Sequence, residues 1–567
     1  MKRFTVTCFI LAALIAPRVA PCAPDSESDL NRQIMQRMQE VSGLWRENKI
    51  PQAVAILEEL YKTPRANQTG DAWVGVLYDL SCGYSLLGQK TKAISYLDEA
   101  VRAGYEDYSH IQSDTDLDSI RADSAFEKIV SPLRREAMIW SGASLNTPYR
   151  DTLSTEEKVA GLSEVWSEAR FGFVNFDNVP ALDWDSLYLA YLGKVPSARS
   201  TMDYYRLLME FAAQLHDGHT SVDVPSEIFG QFYVRPALDT RLIEDRVMIV
   251  DVLSDSLRRS GDWEGMEVIS VDGVPVREYA ARMVAPYVSA STPQARDASI
   301  FGLYLLGGSA GKPVELELRD AKGRTARQVF PRDYFRVLKK QPPLEYRLLR
   351  GNVGYLNVTT FGDDAVLARF DSLFPQIMNT KALIIDLRSN PGGNSRIGWD
   401  LLGYFTDKPF ATLGSSCRDY RAPYRAWGKT RPWYHPEPGT WQPHGGKLYT
   451  KPVVVLTGPI TGSAAEDFCV AFDECKRGKL IGELTNGSTG QPVSFPLPGG
   501  GSGRVCTLRC TYVDGKPFVG IGVKPDIFVQ PTIKDLRAHR DAVLEAAQRE
   551  LNPGVKTKSL SHRDSSL

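Results

Sequence analysis

Ser463 lies where the sequence could build a nucleophilic serine. A short β-branched run, residues 453–457, predicts a buried parallel strand, which a glycine- and proline-containing turn then interrupts. Apolar residues recur at helical spacing from Ser463 until Gly478. Ser463 would therefore stand at the positive end of a helix, beside free backbone N–H groups. A nucleophile and an oxyanion site can share one piece of backbone there.

The same stretch also has a purely structural interpretation. Ser463 and Glu466 match a capping box, in which the serine hydroxyl and the glutamate carboxylate satisfy N–H groups at the start of a helix. This stretch by itself favours capping, so the choice depends on the rest of the chain.

A histidine that could activate a serine lies far upstream. A helical, aromatic-rich pattern ends in LHDGHTSV, residues 215–222, where Gly218 breaks the helix and His219 falls on the turn into a strand. Imidazole can act as a base near neutral pH. A single histidine in a turn is by itself a mild signal.

Paired glycines follow another predicted strand, residues 382–387. Gly392 and Gly393 form a turn that leads into a helix. Parallel strands with helical crossovers place their C-terminal loops on one edge, so this turn and the Ser463 turn should meet. The glycines could make a plain tight turn, or they could let backbone N–H groups approach a substrate oxygen closely.

Composition bounds the class of protein. The 567 residues are 43% hydrophobic and 10% aromatic, and the formal charge is −1. These values indicate several packed domains and argue against a nucleic-acid-binding or disordered protein.

The first 23 residues have the pattern of a secretory signal peptide. Lys2 and Arg3 precede an apolar run that is too short to span a bilayer. Cleavage after Ala20 or Ala23 would place proline next, which disfavours both positions, and the proline before Cys22 fits a lipoprotein site poorly. No later segment has the length and apolar character of a membrane helix. We therefore expect an exported protein, periplasmic or extracellular, without an integral membrane segment.

Cysteine usage is compatible with export. Cys506 and Cys510 should share one strand, too far apart along it to pair with each other. A disulfide from that strand to Cys469 or Cys475 is one alternative, and buried thiols are the other. The cysteine spacing does not match a zinc site, so we expect no metal.

Residues 30–135 are helical in pattern. Ala53 and Leu57 are echoed 40 positions later by Ala93 and Leu97. The second copy, GYSLLGQKTKAISYLDEAV, resembles the tetratricopeptide pattern, which implies a surface for a protein partner. The alternative is an ordinary helical bundle without a binding role.

The phrase GMEVISVDGVPV, residues 265–276, is similar to the second half of a PDZ domain. PDZ domains bind C-terminal peptides by strand addition, so this resemblance implies a module that holds extended substrate tails. The carboxylate-binding loop of such domains is not evident in this sequence.

Several stretches together resemble the C-terminal processing (tail-specific) proteases and the related tricorn core protease. They are LHDGHT, GMEVISVDGVPV, YLNVTTF, ALIIDLRSNPGGN, VVVLTGPITGSAAE, IGELTNGSTGQ and GVKPDI, in the family's order, and they cover residues 152–530. The resemblance implies that Ser463 is the nucleophile. The oxyanion donors would be the backbone N–H groups of Ala464 and of Gly393 or its neighbour Gly392.

The base departs from the pattern of the tail-specific branch, which has a lysine where this chain has Ser488. The tricorn-like branch uses a histidine as the base, and that position falls on His219. Lys476 and Lys479 follow the helix that starts at Ser463, which places them roughly 20 Å from it.

The tricorn supports of that histidine, a preceding serine and a glutamate before Gly-Val-x-Pro-Asp, are missing in this chain. The group that orients His219 is therefore left open by the sequence. Glu483, Glu466 and Asp217 are the candidates.

The fold expectation is a multidomain α/β protein: a βαβ protease core with a parallel or mixed sheet, a PDZ-like β module and an N-terminal helical-repeat region. The predicted boundaries are 1–23 for the signal peptide, 30–135 for the repeat-like domain, 140–232 for a helical part of the protease, 235–332 for the PDZ-like module, 340–530 for the catalytic core, 531–552 for a C-terminal helix and 553–567 for a flexible tail.

The sequence as a whole indicates an exported serine peptidase that cleaves unfolded or C-terminal tail segments without a metal or other cofactor. The alternative is a catalytically silent member that binds peptides or other ligands through its PDZ-like and helical-repeat surfaces. An aromatic-rich insertion, residues 415–449, is expected to overhang the active site, because it connects the Gly393 helix to the Ser463 strand.

Overall fold

A computed structural model describes residues 34, 37–38, 40–62, 71–334, 342–429, 432–443 and 446–552. The chain divides into two compact units, residues 1–143 and 144–567. The predicted signal peptide, Cys22 and the predicted tail 553–567 lie outside the described residues. Within the described ranges, no helix has the length and apolar character needed to cross a membrane.

The first unit is helical. Its helices are Ile50–Lys62, Asp71–Leu86, Lys90–Arg102, Tyr108–Ser113 and Ser124–Trp140, with a 3-10 turn at Thr115–Leu117. The echoed residues Ala53, Leu57, Ala93 and Leu97 are all fully buried, because they form the apolar stripes along which these helices pack. The helical pattern of this region is confirmed, whereas a partner for it stays a prediction.

The second unit begins with helices that lead to His219. They are Thr155–Gly172, Trp184–Lys194, Thr201–Ala213 and Ser226–Phe232, with 3-10 turns at Phe176–Asn178 and Val195–Ser197. The first helix starts at a capping box made by Ser154 and Glu157. As predicted, His219 lies on a turn before a strand, Ser221–Asp223, which pairs antiparallel with Gly501–Cys506.

Residues 238–330 form a β module with its own hydrophobic core. Its antiparallel sheet has the strand order Leu238–Ile243, Arg246–Val252, Glu267–Val271, Val314–Arg319 and Thr325–Phe330, and Val274–Pro275 pairs with the third of these. The helical segments are Asp255–Ser260, Val276–Met283, Ala285–Tyr287, Pro293–Asp297 and a π-helix at Ala298–Tyr304. This module contains more helix than the short β runs of the sequence predicted.

The core is a six-stranded mixed sheet covered on both faces. Its strand order is Ile527–Phe528, Lys479–Gly482, Val453–Thr457, Ala382–Asp386, Val353–Val358 and Leu344–Leu349. All neighbours are parallel except the last pair. Helices Ala365–Ile377, Ser395–Leu402 and Ala464–Glu474 contribute to the core on one face, and Ala542–Leu551 to the core on the other. The predicted βαβ core is therefore present.

Smaller elements complete the second unit. They are strands Phe410–Ala411, Gly414–Arg418, Trp433–Tyr434, Thr440–Trp441, Pro492–Leu497 and Arg509–Thr511 and helices Ala422–Ala426 and Ile533–Arg537. The predicted single helix over 531–552 is wrong. It is two helices, because His539 between them has a positive φ of 51°, which a continuous helix does not allow. The six cysteines at 82, 417, 469, 475, 506 and 510 are free thiols, so the disulfide alternative is not realised.

A truncation in the central strand should measure how much the core sheet contributes to stability. Leu456→Ala removes a fully buried side chain, and we expect a loss of about 2–5 kcal/mol in the free energy of unfolding in urea. Leu348→Ala is the matched control, since Leu348 lies on the edge strand with 60% of its surface exposed. Its change should stay within about 0.5 kcal/mol. Equal losses at the two positions would contradict this assignment of the core.

Candidate active site

Ser463 occupies a strained turn between a strand and a helix. Five residues, 458–462, separate strand Val453–Thr457 from Ser463. Helix Ala464–Glu474 starts directly after Ser463. Ser463 has φ 52° and ψ −126°, a conformation that costs a non-glycine residue about 1–3 kcal/mol. Its N–H donates to the carbonyl of Ser488 at 2.9 Å and to the Glu466 carboxylate at 3.2 Å. The carboxylate half of the capping arrangement is thus present, and it holds the strained turn.

His219 stands against Ser463, although 244 positions separate them in sequence. The imidazole Nε2 lies 3.0 Å from Ser463 Oγ. The other ring nitrogen, Nδ1, lies 2.7 Å from Ser488 Oγ. The structure therefore brings together the two residues that the sequence singled out and adds a third.

Ser488 is the residue that the sequence analysis missed as a partner. It was recognised only as the position where a lysine is lost. Its side chain is buried, and its backbone N–H donates to Glu466 at 2.9 Å. When Nδ1–H donates to the Ser488 hydroxyl, Nε2 presents its lone pair to Ser463. The signal available in the sequence was that Ser488, a polar residue, stands at the position of the family's lysine.

The three candidate acids lie elsewhere. Asp217 accepts from the backbone N–H of His219 at 2.9 Å and from the Thr220 hydroxyl at 3.0 Å, so it orders the loop and not the ring. Glu466 accepts hydrogen bonds from the backbone N–H groups of Ser463, Gly487 and Ser488. Glu483 forms an ion pair with Arg241. Within the part of the chain that the structure describes, no carboxylate hydrogen-bonds to the imidazole of His219. Among the described residues, therefore, none of the three candidate acids orients the ring through a hydrogen bond.

The lysines near the helix are also engaged elsewhere. Lys476 pairs with Asp473 at 2.9 Å, and Lys479 pairs with Glu550 at 2.7 Å. Neither cation contacts Ser463 or His219 in any described interaction.

The glycine turn meets the Ser463 turn, as the sheet topology predicts. A Cβ placed on Gly392 would lie 2.5 Å from Ser463 Cβ and 3.0 Å from the backbone nitrogen of Ala464. Only a glycine permits this approach, and its φ of 109° also favours glycine. The turn is anchored by hydrogen bonds from Phe361 N–H to the Gly392 carbonyl and from Asn394 N–H to the Phe361 carbonyl.

Two backbone donors beside Ser463 have no hydrogen-bond partner within the described ranges. The N–H of Gly392 donates to Asn390 Oδ1 at 2.9 Å, which removes it from the candidate oxyanion donors. The N–H groups of Gly393 and Ala464 have no hydrogen-bond partner among the described residues. Unpaired N–H groups at a helix start can donate hydrogen bonds to a developing negative oxygen.

Burial sets the protonation state of the base. The pKa of His219 is lowered to about 4, mainly by burial; the charge of Asp217 opposes this shift and that of Arg504 adds to it. The imidazole is therefore neutral near pH 7 and can accept a proton. Burial also raises the pKa of Asp467 to about 6, against hydrogen bonds from the hydroxyls of Ser395 and Thr489.

The described residues contain no group of three histidine, cysteine, aspartate or glutamate side chains that could hold a metal ion. The site's described polar groups are side-chain hydroxyls, an imidazole, carboxylates and backbone N–H groups.

The aromatic insertion packs beside the core. Its first strand, Gly414–Arg418, pairs with Arg509–Thr511, the Tyr420 ring packs on Phe171, and Trp441 Nε1 donates to Asp400 at 3.1 Å. No described interaction joins it to Ser463 or His219, so its position over the active site stays a prediction.

Comparison with known proteins identifies a family for part of the second unit. Residues 352–529 match the model of Peptidase family S41 and form a domain of that kind. The chain is 26% identical over 267 residues to the carboxy-terminal-processing protease of Bartonella bacilliformis, covering 46% of this chain and 56% of that protein. It is 25% identical over 224 residues to the carboxy-terminal processing protease CtpA of Bacillus subtilis, covering 39% and 44%. The resemblance to this protease family is thereby confirmed.

These matches cover only part of each protein. The chain spans about half the length of the curated relatives that it matches. Mature CPAF complexed with lactacystin has a similar fold, with a TM-score of 0.55 and 17% identity over 70% of this chain and 98% of that one. Ser463, Ser488 and the glycine turn lie within the family domain, whereas His219 lies before it.

The pH dependence of the nucleophile's reactivity should report the buried histidine. His219 must be neutral to accept a proton, so labelling of Ser463 by a fluorophosphonate should rise with pH and reach half its maximum well below 6.5, near the pKa of about 4. The second-order labelling rate measured between pH 3.5 and 8 checks this, with Ser463→Ala as the background. A midpoint at or above 6.5 would contradict a desolvated base.

The Ser488 hydroxyl should matter for turnover more than for binding. Ser488→Ala leaves Nδ1 without its partner. Because a neutral hydrogen bond contributes about 0.5–1.5 kcal/mol and the correct tautomer is also lost, we expect kcat to fall at least about tenfold with KM little changed. Ser270→Ala is the control, since it removes a buried hydroxyl of the β module that donates to Glu317. If both variants keep wild-type kcat, Ser488 does not orient the histidine.

Proposed function

We propose that this chain is an exported serine peptidase that hydrolyses peptide bonds in unfolded or C-terminal tail segments. The observation that carries the proposal is the 3.0 Å approach of His219 Nε2 to Ser463 Oγ, beside two backbone N–H groups that have no partner in the described part of the chain. A hydroxyl, a neutral base and an oxyanion site are the parts that acyl transfer requires.

The first half-reaction forms an acyl-enzyme. Ser463 Oγ attacks the peptide carbonyl carbon while its proton moves to His219 Nε2. The carbonyl oxygen becomes an anion and accepts hydrogen bonds from the N–H groups of Gly393 and Ala464. The C–N bond then breaks, and the proton on Nε2 passes to the leaving amine.

The second half-reaction regenerates the enzyme. A water molecule attacks the ester carbonyl, and His219 takes one of its protons. Collapse of the second oxyanion breaks the bond to Ser463 Oγ, which regains the proton and releases the carboxylic acid. Ser488 holds the ring so that Nε2 faces the serine in both steps. The nearby charge of Asp217 favours the imidazolium that forms between them.

The substrate class rests on the relatives. Both curated relatives named above are carboxy-terminal processing proteases, which supports a substrate with an accessible tail. Export follows from the N-terminal sequence pattern, and a protein partner on the first unit's helical surface belongs to the same proposal.

A catalytically silent binding protein is the second candidate. The observation in its favour is that no carboxylate in the described ranges hydrogen-bonds to the imidazole ring of His219. Labelling of folded wild-type protein with a fluorophosphonate separates the candidates, because a binding protein would leave Ser463 unlabelled.

Substitutions of the pair should abolish turnover without unfolding the protein. Ser463→Ala and His219→Ala should each reduce kcat by about 10⁴- to 10⁶-fold on a cleaved peptide, and the double variant should be hardly worse, because the two groups act as one unit. A residue that serves only as a cap would cost about 1 kcal/mol of stability and leave activity nearly unchanged.

Lys479→Ala is the control for a lysine base and should keep wild-type turnover, since Lys479 pairs with Glu550. Near wild-type kcat in His219→Ala, on a peptide that Ser463→Ala cannot cut, would show that the base is another group.

A further inference from the structure

One short segment of the β module touches both loops that hold the base. Ser291 Oγ accepts a hydrogen bond from the backbone N–H of Gly218 at 3.0 Å. Gly218 directly precedes His219, so this contact fixes the peptide that carries the imidazole. The contact crosses from the module to the helical part of the second unit.

The next residues of the segment hold the loop that carries Ser488. Thr292 Oγ1 donates to the carbonyl of Asn486 at 2.8 Å, and Gln294 Nε2 donates to the carbonyl of Thr485 at 2.9 Å. A Cβ on Gly487 would lie 2.4 Å from the Thr292 methyl group, so this methyl packs directly on bare backbone. Thr292 is buried, with only 4% of its surface exposed.

The module's first strand is not open for an added peptide. Thr240 Oγ1 donates to the carbonyl of Phe301 at 2.5 Å. A Cβ on Gly302 would lie 3.3 Å from the Thr240 carbonyl oxygen. Neighbouring strands need about 4.8 Å on each side. The π-helix at Ala298–Tyr304 therefore covers this edge of the sheet, which opposes addition of a substrate tail at this edge.

We propose that Ser291, Thr292 and Gln294 are positioning residues for the serine peptidase reaction. The module thereby acts as a brace on His219 and Ser488. This inference rests on the proposed function. Its physical basis is that both neighbours of the imidazole, the Gly218 peptide and the Ser488 loop, are held by one segment. A misplacement of about 1 Å in such a constellation can cost about 10²-fold in rate.

The test removes the side-chain donors of Thr292 and Gln294 while keeping the size of both side chains. Thr292→Val with Gln294→Met deletes three donor contacts to backbone carbonyls, including that from Gln294 to Ile521. We expect kcat to fall about 10- to 100-fold with KM within about twofold, and Thr292→Ser to restore most of the loss caused by Thr292→Val. Thr325→Val with Gln328→Met makes the same chemical changes on an exposed strand of the module and should keep wild-type kcat.

A second readout does not depend on activity. The titration of His219, followed by NMR on ¹³C-histidine-labelled full-length protein, should move from its low midpoint towards 6.5 in the double variant, since a loosened loop admits water to the ring. Gln294→Met alone is the milder variant if the double variant melts at the assay temperature.

The outcomes separate the two proposals. If Ser463→Ala abolishes hydrolysis while the folded Thr292/Gln294 variants keep wild-type kcat and His219 titration, the brace is refuted and the peptidase stands. If wild-type protein neither hydrolyses peptides nor reacts with the probe, the peptidase is refuted. The His219 titration then still decides whether the segment positions the ring.

Discussion

The buried carboxylate of Glu466 is the interaction on which the rest of the site depends. It accepts hydrogen bonds from the N–H groups of Ser463, Gly487 and Ser488 and from the hydroxyl of Thr485. Burial raises its pKa to about 8, and the hydrogen bonds oppose that rise. Three of the four partners are N–H groups that can only donate, so the carboxyl oxygens act as acceptors towards them. One side chain therefore couples the strained nucleophile turn to the loop that meets the histidine.

The site is assembled across the second unit and not within the family domain alone. The parallel sheet brings the glycine turn and the Ser463 turn to one edge. His219 reaches that edge because the strand after it, Ser221–Asp223, pairs with Gly501–Cys506. The Thr220 hydroxyl also accepts from the backbone N–H of Cys506 at 3.1 Å. A short antiparallel strand pair thus positions the base.

The imidazole of His219 has a hydroxyl partner, Ser488, and not one of the three candidate acids. A serine hydroxyl can accept the Nδ1 proton, but it carries no charge to stabilise an imidazolium. Asp217 supplies part of that charge through space while its oxygens hold backbone and side-chain donors around the loop. Orientation and electrostatic support of the base, which one carboxylate can provide together, come from two residues here.

The sequence by itself determined the elements whose signals are local. The Ser463 turn, the glycine pair, the alternation of strands and helices in the core and the buried stripes of the first unit all follow from hydrophobic period and turn chemistry over a few residues. The pairing of His219 with Ser463 came from resemblance, since no local rule links residues so far apart.

Only the tertiary structure decided the contacts of the site. Ser488 is the hydrogen-bond partner of His219, and Glu483 forms an ion pair with Arg241. The N–H of Gly392 donates to Asn390, and the module's own helix covers its first strand. Each of these outcomes depends on which donor and acceptor meet at about 3 Å after packing, and residue type and spacing along the chain do not specify that distance.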